Sequence, residues 1–351
     1  MADRTAPATS APRVGPAPGS VRGAASVPGG ATGRETGARF ASVVEDIDAG
    51  RSVFPLPGSG RTAERLSALR AAAEDDLCVA RLVEGHVDAL AILAELGGPR
   101  PRAGQRWAVW AAQPPGTTLE AVRSGDGWAL TGRKPYCSGA HACTHALVTA
   151  PAPDGPRLFA VAVDPLVCVP VEGTWQAVGM AGSDSPDVSF EHAPATAVGG
   201  VDAYVRRPGF QHGGIGVAAC WYGGALAVAR PLREAAARRS DPHADAHLGA
   251  ADVQLHAAGA VLDRAAAEID DDPSDKAGGA RVRSLRVRAL VESVCSDVLT
   301  RVGRATGAGP LCHDPRHARA AADLAVYLRQ HHAERDLAGL GALLARPQDT
   351  R

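Results

Sequence analysis

Lysine is nearly missing from this chain. Lys134 and Lys276 are the only two among 37 basic residues, the rest being arginine. With alanine, glycine and proline abundant beside them, this reads as genomic base composition, and the arginine count carries no functional weight. Neither charge sign is in excess: 37 basic residues stand against 38 acidic ones, for a net charge of −1. That balance gives no broad attraction to nucleic acid or to an anionic membrane, so neither is expected as a partner. No stretch reaches the ~18–20 continuous apolar residues of a membrane span. No apolar core follows a basic start at the N-terminus, so no secretory signal is read there. The seven cysteines are scattered and form no CxxC pair. This argues against a disulfide framework or zinc ribbon and for free thiols in a reducing, cytoplasmic setting. Histidines four apart occur as His141/His145, His243/His247 and His313/His317. No third and fourth ligands accompany them, and no metal is expected. The glycine-rich runs at 213–216 and 303–309 do not follow parallel strands, which argues against a Rossmann site.

What is present is enough for a real core. The chain has 351 residues, 45% of them hydrophobic, sufficient for two or three structural units. Residues 1–37 hold almost no large apolar groups and are expected to be a disordered tail. Residues 38–104 read as a helical lead-in: Phe40, Val43, Val44 and Ile47 recur at helical spacing, and a break at 55–60 precedes helices over 62–74 and 75–96. Leu77, Ala80, Arg81, Glu84 and Asp88 alternate apolar and polar faces around the last of these. Residues 105–200 change period, with short apolar runs at 107–112, 128–132, 146–150, 158–163 and 188–191 separated by turn clusters. That spacing predicts a compact antiparallel β domain. Residues 201–346 return to long helical segments at 213–239, 245–271, 277–305 and 316–345, which suggest a bundle. Pro231 is expected to kink or divide the first of them. The fold class is therefore α+β: N-terminal helices, a central antiparallel β-barrel or sandwich, and a C-terminal four-helix bundle.

The most informative stretch runs from Gly127 through Lys134-Pro135-Tyr136-Cys137-Ser138-Gly139 to Ala140. Read as a strand carried into a tight turn, it puts Tyr136 and Ser138 two residues apart on one face. An aromatic ring and a hydroxyl so placed can meet one flat ligand together.

The order of segments is also telling. Helices come first, then 110–116, then this strand and turn. Trp175-Gln176-Ala177-Val178-Gly179-Met180 follows with Ser183 and Ser185, then Asp187-Val188-Ser189-Phe190, then helices again. This order resembles the acyl-CoA dehydrogenase superfamily over roughly residues 60–345. The resemblance implies FAD held between the β domain and the bundle, with Tyr136 and Ser138 against the isoalloxazine. Gly139 adjoins them, and Trp110, Ala112 and Thr117 belong to the first flavin loop. That loop here is shortened and lacks the family's acidic pair. Arg239, with Arg238, matches the family arginine that reaches the cofactor of a neighbouring subunit. The family's Glu-Gly base motif is absent near the C-terminus. Matching Pro310 and Arg316 puts Asp323 close to the base position, in a very apolar stretch where burial raises a carboxyl pKa. Glu334, in the run 331–336, reads as part of a solvated helical face.

What the resemblance implies is an FAD-dependent oxidoreductase that dehydrogenates an acyl-CoA or related acyl thioester. A homodimer or homotetramer is implied, with an electron-transfer flavoprotein or a flavin reductase as redox partner. The missing base motif keeps open a flavin-dependent monooxygenase on the same fold, and also a non-catalytic member that binds a ligand or partner.

Overall fold

The structure is a computed structural model that describes residues 29–238 and 241–345. Helix α1 (Gly29–Asp48) begins ahead of residue 38, inside the stretch expected to be disordered. Its early turns are ordered by contact: Thr36 is buried, and Gly33 and Gly37 lie against Asp184 and Ala142. Residues 1–28 of that tail lie outside the described residues. Helices α2 (Thr62–Asp75) and α3 (Leu77–Leu96) are separated by Asp76 alone. Its extended backbone breaks one helix, and its carboxylate caps the next by accepting from the Cys78 and Val79 amides.

Seven strands follow: β1 (Trp107–Trp110), β2 (Glu120–Ser124), β3 (Gly127–Lys134), β4 (His145–Ala152), β5 (Gly155–Ala162), β6 (Cys168–Val171) and β7 (Asp187–Val198). They form one sheet in the order β1-β4-β5-β7-β3-β2, with β6 also on β7. β1 runs parallel to β4 and the other pairings are antiparallel. The expected antiparallel barrel or sandwich is thus replaced by an open mixed sheet. The β2–β3 hairpin lies between β1 and β4 in the chain, so β4 returns beside β1 in the same direction. No ladder joins β1 to β2 among the described residues.

The helical remainder contains α4 (Ala203–Arg206), α5 (Pro208–Arg238), α6 (Pro242–Asp271), α7 (Ala280–Thr306), α8 (Gly309–His313), α9 (Pro315–Tyr327) and α10 (Glu334–Leu344). α5 continues through Pro231 as one helix of 31 residues. It is long and apolar enough to cross a membrane by length and composition, but most of that apolar stretch is buried inside the fold. Its small residues let it approach α2 closely: a Cβ on Gly223 would lie 2.2 Å from the Arg70 carbonyl oxygen. The segment expected as one last helix is instead α9 and α10, separated by a 3₁₀ turn at Leu328–Gln330 and a left-handed-region Ala333. One core joins helices and sheet, with Phe40, Trp110, Phe159, Phe190, Trp221 and Tyr327 among its largest members.

Candidate functional site

Strand β3 stops at Lys134, before the aromatic and the hydroxyl. Pro135 has no N–H to offer the ladder. Tyr136 then takes a left-handed backbone (φ 57°) and Ser138 lies in a turn. The two side chains therefore do not share a strand face, as their spacing had predicted. Tyr136 is 55% exposed, whereas Ser138 is half-buried. Lys134 itself is buried, donating from Nζ to the Thr149 carbonyl at 2.6 Å and hydroxyl at 2.8 Å. Burial lowers its pKa to about 8.

Two loops are fastened together at this point. The Cys137 amide donates to Pro186 O, Gly139 to Ser183 O and Ala140 to Asp184 O, at 2.9–3.2 Å. Trp110, at the end of β1, is buried and donates from Nε1 to the Ser138 carbonyl at 3.0 Å. Trp110, Ser138 and Gly139 are thus brought together. Ala112 and Thr117 lie on the connection after β1, where the Thr117 amide and hydroxyl both donate to Pro114 O (3.2 and 2.7 Å). Arg239 lies outside the described residues. At the outer rim, His141 pairs with Asp184 at 3.0 Å, which raises its pKa through that hydrogen bond.

Behind Ser138 runs a line of hydroxyls. Ser185 Oγ donates to Ser138 Oγ at 2.9 Å, Ser185 and Ser183 stand 2.8 Å apart, and Ser183 Oγ reaches Met180 O at 2.8 Å. The Met180 amide, in turn, donates to the Asp323 carboxylate on α9. Asp323 is 3% exposed, and its second oxygen accepts from Cys78 Sγ at 3.6 Å. Burial raises its pKa, opposed chiefly by the Met180 amide. Gly179 makes the approach feasible, since a Cβ there would lie 2.0 Å from Ala322 O. Asp323 also forms part of the wall of a 480 Å³ cavity, in company with Arg39, Asp76, Arg230, Asp314 and Arg319. Glu334 opens α10 at the surface.

A second polar group was not foreseen. The polar face of α3 points inward: Arg81 pairs with Glu84 at 2.6 Å, and Arg207 pairs with Glu95 at 2.8 Å and lies 3.8 Å from Asp88. Burial raises Glu84 to about 7, with Arg81 pulling the other way. Close by, Trp221 meets Tyr327 and His331 edge-on, and Arg288 lies 4.7 Å over the indole. Trp221 Nε1, the Tyr327 hydroxyl, His331 Nε2 and Asp88 Oδ1 are buried with no hydrogen-bond partner among the described residues. Buried polar atoms in that state mark places where water or a ligand belongs. The spacing of Arg81 and Glu84 (three apart) was the available signal, since a pair able to neutralise itself tolerates burial.

No family model matches this sequence, and no curated protein does. Solved structures do resemble it. TdsC from Paenibacillus sp. A11-2, a dibenzothiophene monooxygenase solved with FMN and indole, superposes with a TM-score of 0.69 at 16% identity, covering 90% of this chain and 96% of its own. KijD3, solved with FMN and dTDP-3-amino-2,3,6-trideoxy-4-keto-3-methyl-D-glucose, gives 0.68 at 18% identity, with 94% and 97% covered. A nitrososynthase from Micromonospora carbonacea var. africana gives 0.68 at 21% identity, with 92% and 98% covered. At such identities the shared property is the fold. The chain therefore shares the fold of these structures, as the resemblance to the acyl-CoA dehydrogenase superfamily implied.

Proposed function

We propose that this chain is a flavin-dependent monooxygenase that uses reduced FMN and molecular oxygen to oxygenate a small molecule. The observation that carries this over acyl thioester dehydrogenation is the state of Asp323. An α-proton base needs a carboxylate oxygen within reach of a substrate C–H. Both oxygens of Asp323 are engaged, by the Met180 amide and the Cys78 thiol. The cavity it borders mixes charged side chains, among them Arg39, Arg230 and Arg319, with apolar ones such as Leu77 and Ala227, where an acyl chain calls for a predominantly apolar lining. Similarity to TdsC, and to a methanesulfinate monooxygenase from Pseudomonas fluorescens (TM-score 0.64, 18% identity, 90% and 96% covered), supports the same reading.

The residues present fit a flavin mononucleotide. Ser138 keeps a hydroxyl proton that no described residue accepts, and the half-exposed Tyr136 ring stands at the lip of the same loop. The Thr117 amide and hydroxyl are spent inside their own turn, which removes donors that the pyrophosphate of FAD would need. FMN, when bound, supplies two reducing equivalents for splitting oxygen, one atom going to the substrate and the other to water. The chain's part is to hold the ring with Ser138 and Tyr136 and to keep the site dry through the Trp110 and Phe190 packing beneath. A flavin reductase is the redox partner this reading calls for. A homo-oligomer fits it too: α10 has no buried residue, and Leu337 and Leu344 are 51% and 53% exposed.

The deciding experiment supplies chemically reduced FMN to the purified protein under air, and acyl-CoA plus oxidised flavin without air. Oxygen-dependent turnover of a small-molecule panel is expected, with no flavin bleaching by acyl-CoA. Asp323→Asn is expected to retain oxygen-dependent turnover. Bleaching by acyl-CoA that Asp323→Asn abolishes would instead make Asp323 a base.

A further inference from the structure

Strand alternation puts Trp107, Leu147, Leu158, Ala160 and Val198 on one face of the sheet, where they pack against Ala89, Ile92 and Leu93 of α3. α3 ends at Leu96. Where its cover stops, the same face forms one wall of a 570 Å³ cavity that the segment 99–105 also lines. That volume suits a small organic molecule. Neither Tyr136 nor Ser138 lines it. Trp107, Ala160 and Pro194 give it an apolar floor, and no Asp or Glu is among its lining residues. Arg100 and Arg102 are exposed at its rim, and neither guanidinium has an ion-pair or hydrogen-bond partner among the described residues.

Proton counting gives the wall a fixed donor. Gln105 Oε1 accepts from the Arg102 amide at 2.9 Å and from Trp107 Nε1 at 3.2 Å, which sets the orientation of its side-chain amide. Gln105 Nε2 then donates to His145 Nε2, 3.1 Å away. This places the His145 ring proton on Nδ1, where Thr144 Oγ1 accepts it at 2.9 Å. Burial lowers the pKa of His145, in keeping with a neutral ring. The second N–H of Gln105 has no acceptor among the described residues, and Gln105 lines the cavity. On β7 the ladder to β3 slips, so that Glu191 and His192 oppose Thr131 alone. At this bulge His192 takes a left-handed backbone (φ 54°) and joins the lining.

We infer that this cavity is a binding site for a small organic acid, seated with its carboxylate or phosphate toward Arg100, Arg102 and the unused Gln105 N–H, and with its apolar body on Trp107, Ala160 and Pro194. Two unpaired guanidinium groups beside a lining without carboxylates select an anion. The apolar floor selects an anion that carries a carbon body over an inorganic one. The site is separate from the flavin loop and does not depend on the reading proposed above.

Titration calorimetry on the full chain tests this with naphthoate and naphthyl phosphate, set against neutral naphthamide and inorganic phosphate. One or both acids are expected to bind, and the tighter one identifies the head group. Naphthamide and inorganic phosphate are expected to bind at least about 10-fold more weakly. Arg100→Gln together with Arg102→Gln is expected to weaken the acid about 10-fold or more, the range of a lost charge-assisted hydrogen bond. The melting temperature is expected to hold, since both side chains are exposed. Thr196→Trp, which fills the cavity from an exposed position on β7, is expected to abolish binding. Ser138→Ala is expected to leave it unchanged. No binding of either acid at millimolar concentration would overturn the inference. So would equal binding of naphthamide or inorganic phosphate, an unchanged affinity in the arginine or Thr196 variants, or a loss caused by Ser138→Ala.

Discussion

His86 occupies a position where protonation and hydrogen bonding compete. It is buried on α3, and its Nδ1 accepts the Trp107 amide at 3.1 Å. A ring nitrogen can accept only while it carries no proton. Burial holds the pKa at about 4, against about 6.5 in an unfolded chain. The depressed value means that the unfolded state takes up the proton first as pH falls. Stability from this residue is whole above pH 6.5 and is lost on acidification toward pH 4, by about 1.4 kcal/mol per pH unit at most. Urea unfolding at pH 7, 6 and 5 measures that slope. His86→Gln, which keeps an acceptor without the titration, is expected to flatten it. Residue-level reading of the sequence brought some of these residues together and misplaced others for a definable reason. Ser138, Gly139 and Trp110 were selected and do meet. The joint strand face of Tyr136 and Ser138 failed because the ladder ends at Lys134, ahead of Pro135 and short of both residues. Period-two reasoning cannot register that local event until the strand's end is known.

Helices were largely legible because their signals are local. Asp76, Asp241 and Asp314 each cap the helix that follows, accepting from amides two and three residues on. Strands β2 and β6 were not read. β2 is mostly exposed and β6 only four residues long, so neither shows the apolar alternation that sequence reading relies on. Their membership in the sheet comes from the strand that follows each of them, β3 for β2 and β7 for β6. Close helix approach makes a prediction of its own. Gly223 faces the Arg70 carbonyl at a distance that excludes any side chain, while nothing lies within 4 Å of a Cβ built on Gly303 in α7. Gly223→Ala is expected to destabilise by about 1–3 kcal/mol through overpacking. Gly303→Ala is expected to stabilise by about 0.5–1 kcal/mol through helix propensity. Opposite shifts of melting temperature would report both. A common shift in one direction would deny the tight α2–α5 contact.

Across the whole molecule, the site joins parts that are distant in sequence. Asp323 on α9 holds a loop of the sheet region 143 positions away, and the seam exists only when both are folded. Sequence order anticipated the fold shared with the solved structures, but the inward turn of Arg81, Glu84 and Asp88 depends on α4 and α5 covering α3. That is why an apparently amphipathic helix carries its charges inside. The outer surface of α10 belongs to the same scale. If it packs against a second copy, Leu337→Arg together with Leu344→Arg is expected to shift the sedimentation coefficient toward the single-chain value while leaving the helical circular dichroism unchanged. An unaltered sedimentation profile would assign the assembly to another face.

The closed turn from Pro114 to Thr117 has a practical consequence on the proposed reading. A nucleotide gripped at its ring and not along a diphosphate tether is a visitor: it arrives charged, is used once and departs. Preparations of this protein should therefore leave the purification column without yellow colour, and their activity should scale with how fast a separate reductase can deliver fresh flavin.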